Sequence, residues 1–450
     1  MDGSKQEDQL IDDIAARLAV APADERASLL ANAPDGLQAR VELAQRLIER
    51  GAGETAVAVM ADSVARAPGS VEALNALGII HRRLGRHAAA AARFEQALAL
   101  APDIQAIRFN LALSLLSQGD LARGWPLYEA GRDPLVQRAD PLRRYPFPEW
   151  QGEPVAGKRL YLWSEQGVGD VVLFGAMISE LQAQGARCTL ECDGRLVALL
   201  RRSFPGLAVL PTAPLADLGG SSERFDYHAP LGSLGRLLRP RLAAFPPPRA
   251  YLRADPRRVA ACRTRLAGLG EGRKVGISWF SKSESYDAKS TRLIDWAPLL
   301  ELQGNHFVNL QYGEVAAELE AVQRALGVSV FDDPEIDKFN DLDGLAALAA
   351  ACDIVVTVSN VTVPIAGALG KRVLLIVGPE TMWYWFQERA DSVWHPDARL
   401  FRAATPYRWD DALAKVAMTL AESTSTTRPT VARRKLRVRS RPKPGSAKRQ

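Results

Sequence analysis

The segment Ser164-Glu165-Gln166-Gly167-Val168-Gly169-Asp170 brings together the residue types of a reactive loop. It follows Arg159–Trp163, a short apolar run that reads as a buried strand, and precedes Val171–Ile178, a credible start for a helix packed on a sheet. A strand–loop–helix junction aims unpaired backbone N–H groups and the helix dipole at one point, which suits a phosphate or carboxylate. Asp170 either caps this helix or faces a reaction, and the loop alone leaves both readings open. Three further segments carry comparable chemistry. Phe280–Arg292 holds Ser281, Lys282, Lys289 and Arg292 without apolar period, as a phosphate-facing loop or a solvated flexible one would. Ser359, Asn360 and Thr362 precede the small-residue stretch Pro364–Gly370, which makes either a second anion site or a simple N-cap. Gln311 and Tyr312, followed by Gly313, can hydrogen-bond and stack a nucleobase.

These segments share a position relative to the apolar runs. Strands are expected at Arg159–Trp163, Arg187–Glu191, Leu207–Leu210 and Phe225–His228, then at Lys274–Trp279, His306–Leu310, Ser329–Phe331, Asp353–Val358 and Arg372–Val377. The second series is apolar on both faces, as parallel strands covered by helices are. Two consecutive doubly wound halves imply a cleft, and ligands of open α/β sheets bind beyond the carboxyl ends of the strands. The candidate segments all follow predicted strands. Pro-rich Ala244–Pro256 reads as the crossover between the halves.

Upstream the texture is helical and periodic. Pro34, Pro68 and Pro102 are 34 residues apart, as are Leu43, Leu77 and Leu111, and Gly51, Gly85 and Gly119. The middle unit, with Leu74, Leu77, Gly78, Gly85, Ala90, Phe94, Ala97 and Pro102, resembles the tetratricopeptide repeat. Small Gly78 and Ala90 let two helices cross closely, Phe94 fills the groove, and Pro102 ends the second helix. Such units stack into a short solenoid with a concave surface. Two or three are expected over about residues 37–131, with a degenerate helix pair or cap before them. A peptide-binding groove and a structural or dimerising module fit equally, and homo-oligomer formation is open.

Composition bounds the partners. At 450 residues the chain is too long for one ordinary core. The net charge of +5 is an effect of the tail: residues 421–450 hold ten Lys or Arg against Glu422, so the remaining body is about −4 (5 − 9). No specific nucleic-acid surface is expected, and the tail reads as disordered. Cys188, Cys192, Cys262 and Cys352 lack metal or redox spacing and read as buried thiols. Met1–Asp13 is acidic and unlike a signal peptide, and no apolar run spans a bilayer, so a cytoplasmic location is expected. The expected organisation is a repeat domain (1–135), a linker (136–157), an N-terminal Rossmann-like half (158–255), a C-terminal Rossmann-like half on the nucleotide-sugar side (256–420) and a basic tail (421–450).

Several motifs together carry a family resemblance. They are Gly124-Trp125-Pro126-Leu127-Tyr128-Glu129, Phe147-Pro148-Glu149-Trp150-Gln151-Gly152-Glu153, Trp163–Asp170, Val275-Gly276-Ile277-Ser278-Trp279, Val308–Gly313, Thr357–Asn360, Ala366–Gly370 and Arg389–Pro396. Over about residues 37–418 the chain resembles bacterial fusions of tetratricopeptide repeats to a GT-B glycosyltransferase-like domain, related to heptosyltransferases and distantly to protein O-GlcNAc transferases. The resemblance implies an α-helical solenoid followed by an α/β GT-B body. Asp170 would be the general base, and Gly167 and Gly169 would let backbone approach the substrate. Ser359, Asn360 and Thr362 would hold the donor phosphates, with Lys282, Lys289 or Arg292 neutralising the leaving nucleotide. Trp279, Ser281, Gln311 and Tyr312 complete the expected donor site. The reaction would invert the anomeric centre without metal or cofactor, with the nucleotide-sugar as substrate. The acceptor would be a protein recruited by the repeats, flagellin or another surface protein. A non-catalytic repeat scaffold and a polysaccharide or lipid-core glycosyltransferase are the alternatives. The chain departs from the family twice: Pro364 stands where histidine is usual, and Tyr384 where arginine is frequent. Asp341-Leu342-Asp343 matches a D-x-D string but stands at a helix entrance, where capping is expected.

Overall fold

The computed structural model describes residues 2–31, 33–136, 145–212, 225–281 and 289–425. Lys282 and all but the first five residues of the expected basic tail lie outside that set.

Eight helices come first: α1 (Asp2–Val20), α2 (Ala23–Ala31), α3 (Leu37–Glu49), α4 (Gly53–Arg66), α5 (Val71–Arg83), α6 (His87–Leu100), α7 (Gln105–Ser117) and α8 (Leu121–Tyr128). The periodic glycines explain the pairing of α3 to α8. Gly51, Gly85 and Gly119 take φ of 80, 72 and 81°, a left-handed conformation that an L side chain rarely adopts. Each stands just past the first helix of a pair. The following N–H returns to a carbonyl five residues back: Ala52 to Leu47, Arg86 to His81 and Asp120 to Leu115, at 2.8, 2.8 and 3.0 Å. This is the Schellman closure of a helix C-terminus. Ser70 and Asp120 then start the next helices by accepting from Ala73 N and Arg123 N. A Cβ on Gly78 would lie 2.5 Å from Phe94, so the expected close crossing depends on that glycine.

Ten strands follow among the described residues, and every pairing between them is parallel. The first sheet has the order β3-β2-β1-β4, with β1 Arg159–Trp163, β2 Arg187–Cys192, β3 Ala208–Pro211 and β4 Tyr227–Pro230. The second has the order β10-β9-β8-β5-β6-β7, with β5 Arg273–Ser278, β6 Asn305–Asn309, β7 Val330–Phe331, β8 Ile354–Val358, β9 Val373–Val377 and β10 Ala398–Arg402. A helical solenoid followed by two doubly wound α/β halves is the expected fold class. Nine strands fall on predicted runs; β10, an edge strand with Arg399 exposed, lacks the continuous apolar run that marks its neighbours. Chain order reverses between β1 and β4 and between β5 and β8. At those switch points the segments that follow β1 and β8 meet, Gly169 lying against Val361 and Pro364.

The repeats are welded to this body. One apolar cluster runs from Ala112 and Leu116 through Trp125 and Tyr128 into both halves, reaching Phe174, Trp383 and Trp394. The Trp125 ring lies 5.0 Å from Trp383 and nearly perpendicular to it, and its Nε1–H donates to the Arg239 carbonyl at 2.8 Å. Gly235 admits that ring, since a Cβ there would meet it at 2.2 Å. Gln387 binds the repeat turns directly: its N–H donates to the Ser117 carbonyl at 2.7 Å and its Nε2 to the Gly85 carbonyl at 2.6 Å. From the opposite side, Arg402 donates to the carbonyls of Trp385, Phe386 and Arg389. That grip holds Phe386 at φ 44°, a conformation costly for an aromatic residue.

Trp125→Ala removes a fully buried indole shared by three parts of the chain. It is expected to cost about 3–5 kcal/mol in urea unfolding. A loss below about 1 kcal/mol would mean that the repeat end merely rests on the body.

Candidate active site in the cleft between the halves

The loop after β1 runs into helix α9, Val168–Gly175, with Asp170 in its first turn. Opposite, the short helix Thr362–Ala368 follows β8. The halves touch beside Asp170, where a Cβ on Gly169 would lie 3.7 Å from both Pro364 Cγ and Val361 Cα. A Cβ at Gly169 would make ordinary contact there, and buried Pro364 fills the contact from the other half.

Charge concentrates at the contact. Burial pushes the Asp170 carboxyl up to about 6, against the pull of the Lys289 ammonium. Burial pushes buried Lys289 down to about 8, against the opposing pull of Asp170 and Glu380. Lys289 Nζ also lies 3.4 Å from the Met382 thioether. An acid near 6 and an ammonium near 8 both favour the charged form at neutral pH. Desolvation thus tunes the pair toward neutral-pH chemistry while each keeps its charge.

A second carboxylate stands behind Asp170. Glu165 accepts from Gly232 N at 2.9 Å, and burial raises it to about 7. Gln166 donates from Nε2 to the Tyr128 hydroxyl at 2.8 Å, so the last repeat helix holds the reactive loop. Burial and the charges of Asp170 and Glu165 push the Tyr128 phenol well above its ordinary range. The loop from Ser164 to Val168 lines a cavity of about 690 Å³ with Trp163, Asp193, Arg195 and Thr212.

The remaining predicted residues divide by what they bond. Asn360 ties β5 to β8: Nδ2 donates to Ser278 Oγ at 2.7 Å and to the Phe280 carbonyl at 2.9 Å, while Oδ1 accepts from Thr362 N at 2.9 Å. Gln311 Oε1 accepts from Ser278 Oγ, Trp279 N and Phe280 N at 2.8–2.9 Å. Ser359 Oγ accepts from Trp385 Nε1 at 2.9 Å, and Trp279 is fully buried with its indole N–H on Glu318. These residues build the crevice floor. Thr362 Oγ1 is buried without a hydrogen-bond partner among the described residues. Tyr312 packs on Phe280 and Phe339 at the rim. Arg292 is exposed and paired with Asp295 at 2.6 Å, and Ser281 N accompanies Ser290 Oγ at 3.2 Å. Asp341 caps the helix Leu342–Ala351 through Gly344 N and pairs with Arg258, while Asp343 pairs with Arg202 of the first half. Among the described residues no group of three or more His, Cys, Asp or Glu side chains is placed to hold a metal. Among the described residues no helix is long and apolar enough to cross a membrane, and the four cysteines are buried and unbridged.

The chain is 30% identical to Protein FlbA of Caulobacter vibrioides over 443 aligned residues, covering 86% of this chain and 73% of that protein. It belongs to the FlbA family. The tetratricopeptide repeat family matches residues 71–104 of this FlbA-family chain, which span α5 and α6. Similar solved structures include ADP-heptose heptosyltransferase II of E. coli, 13% identical with TM-score 0.44, covering 59% of this chain and 99% of that one. A glycosyl transferase family 9 protein of Veillonella parvula is 12% identical with TM-score 0.43, covering 62% and 92%. An O-GlcNAc transferase mutant of Thermobaculum terrenum is 16% identical with TM-score 0.32, covering 93% and 91%.

In this FlbA-family chain the sequence singled out Asp170 and Lys289 but passed over Glu165, Tyr128 and Glu380. Tyr128 lies in a quoted motif, yet nothing in that motif says its hydroxyl reaches Gln166. Gln311→Leu orphans three donors at the end of β5. It is expected to lower unfolding free energy by about 2–4 kcal/mol, read as a fall in denaturant midpoint. An unchanged midpoint would free Gln311 from the scaffolding role.

Proposed function

We propose that the chain is a glycosyltransferase that moves a sugar from a nucleotide-sugar onto a hydroxyl of a protein acceptor brought by the repeats. One observation carries the reading: where the β1 loop of one half meets the other half, with Gly169 against Pro364 and Val361, a carboxylate held up to about 6 and an ammonium held down to about 8 act on each other electrostatically. In this mechanism Asp170 takes the proton of the acceptor hydroxyl as that oxygen attacks the anomeric carbon. The bond from that carbon to the donor phosphate breaks on the opposite face, inverting the centre. Its electrons pass to the departing diphosphate, whose charge Lys289 stabilises. Glu165, anchored by Gly232, holds the loop shape rather than the acceptor proton. Flagellin or another surface protein is the first acceptor to assay, with UDP-, GDP-, ADP- and CMP-sugars as donors. A cytoplasmic setting and metal independence belong to this reading.

A non-catalytic scaffold is favoured by a different observation. Ser359 and Asn360, the expected phosphate holders, already spend hydrogen bonds on Trp385 and on the β5–β8 junction. One substitution separates the two readings. Asp170→Asn is expected to lower acceptor mass gain per unit time by about 10²–10⁴. A scaffold would keep its partners and lose nothing.

The pH dependence has a definite sign. A raised Asp170 must lose its proton to work, so kcat/KM falls as pH drops through about 6. A lowered Lys289 must keep its proton, so kcat/KM falls again as pH rises through about 8. Stability runs the other way for the carboxylate: its raised value favours the neutral form, so its contribution to folding falls as pH rises from the ordinary carboxylate range to about 6 and stays at that lower level above it. Asp170→Asn is therefore expected to melt at or above the wild-type temperature at neutral pH. A melting temperature well below wild type would make Asp170 a structural cap.

A further inference from the structure

A cavity of about 620 Å³ lies where the Gln387 anchor meets the repeats, and all three parts of the chain wall it. The repeats supply His87 and Ala88 at the start of α6 and Gln118 after α7. The first half supplies Leu242, and the second supplies Glu388 and Arg389. The volume suits a small organic molecule.

Its donors lack acceptors. The N-cap of α6, Arg86, makes no side-chain cap, and the first turn of this 14-residue helix holds no acid. The positive end of the helix dipole is therefore left without a countercharge from its own turn. His87, the first residue of α6, is 2% exposed, and neither Nδ1 nor Nε2 has a hydrogen-bond partner among the described residues. An imidazole buried in this state is costly, and a polar ligand in the cavity it lines would satisfy it. Burial, with the charges of Arg82 and Arg402, pushes the ring down to about 4, so at neutral pH it offers one N–H donor and one acceptor. Arg389 spends Nη2 on Asp391 at 2.6 Å, while its Nε is buried without a partner among the described residues. Arg402 donates to the carbonyls of Trp385, Phe386 and Arg389. Arg86 is already neutralised by Glu54. The helix dipole, Arg389 and Arg402 thus all favour an anion beside the unpartnered imidazole. The acceptors stand apart from them. Glu388 is exposed at the rim, and Gln118 gives Nε2 to the Ser114 carbonyl, which leaves its Oε1 to accept.

We propose that this cavity binds a phosphate monoester of a small hydroxylated molecule, with the phosphate among the start of α6, His87 and Arg389, and the hydroxyls toward Glu388 and Gln118. Three terminal phosphate oxygens can serve helix amides, imidazole and guanidinium together, which the two oxygens of a carboxylate cannot. Free phosphate meets the same donors but leaves Glu388 and Gln118 unused. Glu388 would repel an anion set against it, yet it accepts readily from a hydroxyl. A ligand seated here touches the repeats and both halves at once. The site contains neither Asp170 nor Lys289 and does not depend on the transferase reading.

The test follows the His87 ring signals by NMR in the full chain carrying 15N-labelled histidine, identified by their loss in His87→Gln. Inorganic phosphate and glucose 6-phosphate are both expected to move them, and glucose to leave them in place. Glucose 6-phosphate is expected to half-saturate at a concentration roughly fivefold or more below that of inorganic phosphate. Arg389→Gln is expected to weaken both by about tenfold or more. Ala88 is exposed, so Ala88→Glu adds a carboxylate to the first turn of α6 without disturbing packing. It is expected to hold or raise the melting temperature while abolishing the phosphate response. Lys289→Gln alters the cleft and is expected to keep the His87 response. Signals unmoved by either phosphate, or moved equally in the Ala88→Glu protein, overturn the proposal, as does loss of the response in Lys289→Gln. Equal half-saturation by the two phosphates overturns the ester in favour of free phosphate, and an equal response to glucose overturns the anion.

Discussion

Trp383 lies 5.0 Å from Trp125 of the last repeat helix, 5.9 Å from Tyr128 and 6.4 Å from Phe174, about one turn beyond the reactive loop, so a single indole is shared by all three parts of the chain. Burying such a ring against other aromatics contributes both area and favourable edge-to-face geometry. Its neighbours then follow. Met382 reaches Lys289, Trp385 donates to Ser359, and Phe386 is bent into a left-handed conformation that Arg402 holds by its carbonyls. The cleft has its shape because this short segment is gripped from both sides.

Much of this architecture was legible in the residues. The 34-residue glycine spacing has a direct physical cause, since each turn needs a left-handed residue. The apolar runs of β5, β8 and β9 announce strands covered on both faces. β10 was not legible, because Arg399 points to solvent and interrupts the apolar run that a covered strand would show. The ring contacts set the aromatic group around Trp383 between the parts of the chain. Its reach into the repeat domain depends on a contact between residues more than 250 positions apart, which local pattern does not encode.

The cleft was legible in outline and not in detail. Loops after strands can be placed from periodicity, so Asp170 and Lys289 could be singled out before their environment was seen. Whether a polar side chain faces a ligand or a neighbouring strand is a different matter. Asn360 and Gln311 have the chemistry of ligand-binding residues, yet their hydrogen bonds close on Ser278, Trp279 and Phe280. The distinction depends on which strands are adjacent, and β5 and β8 are far apart in the chain. Glu165 and Glu380 were obscured for the same reason: their character comes from burial and from partners in other elements.

The intimate seating of Trp125 in the gap left by Gly235 also bears on how such a fusion can change over time or by design. A solenoid joined by a flexible tether can be exchanged for another to redirect its host toward new targets. Here the final helix pair carries core residues of its neighbour and the body also grips the turn between α5 and α6, so a graft would have to retain α5 to α8 and vary only the helices before them. Diversity among relatives should accordingly accumulate toward the amino-terminal turns, with the junction behaving as inherited property of the body.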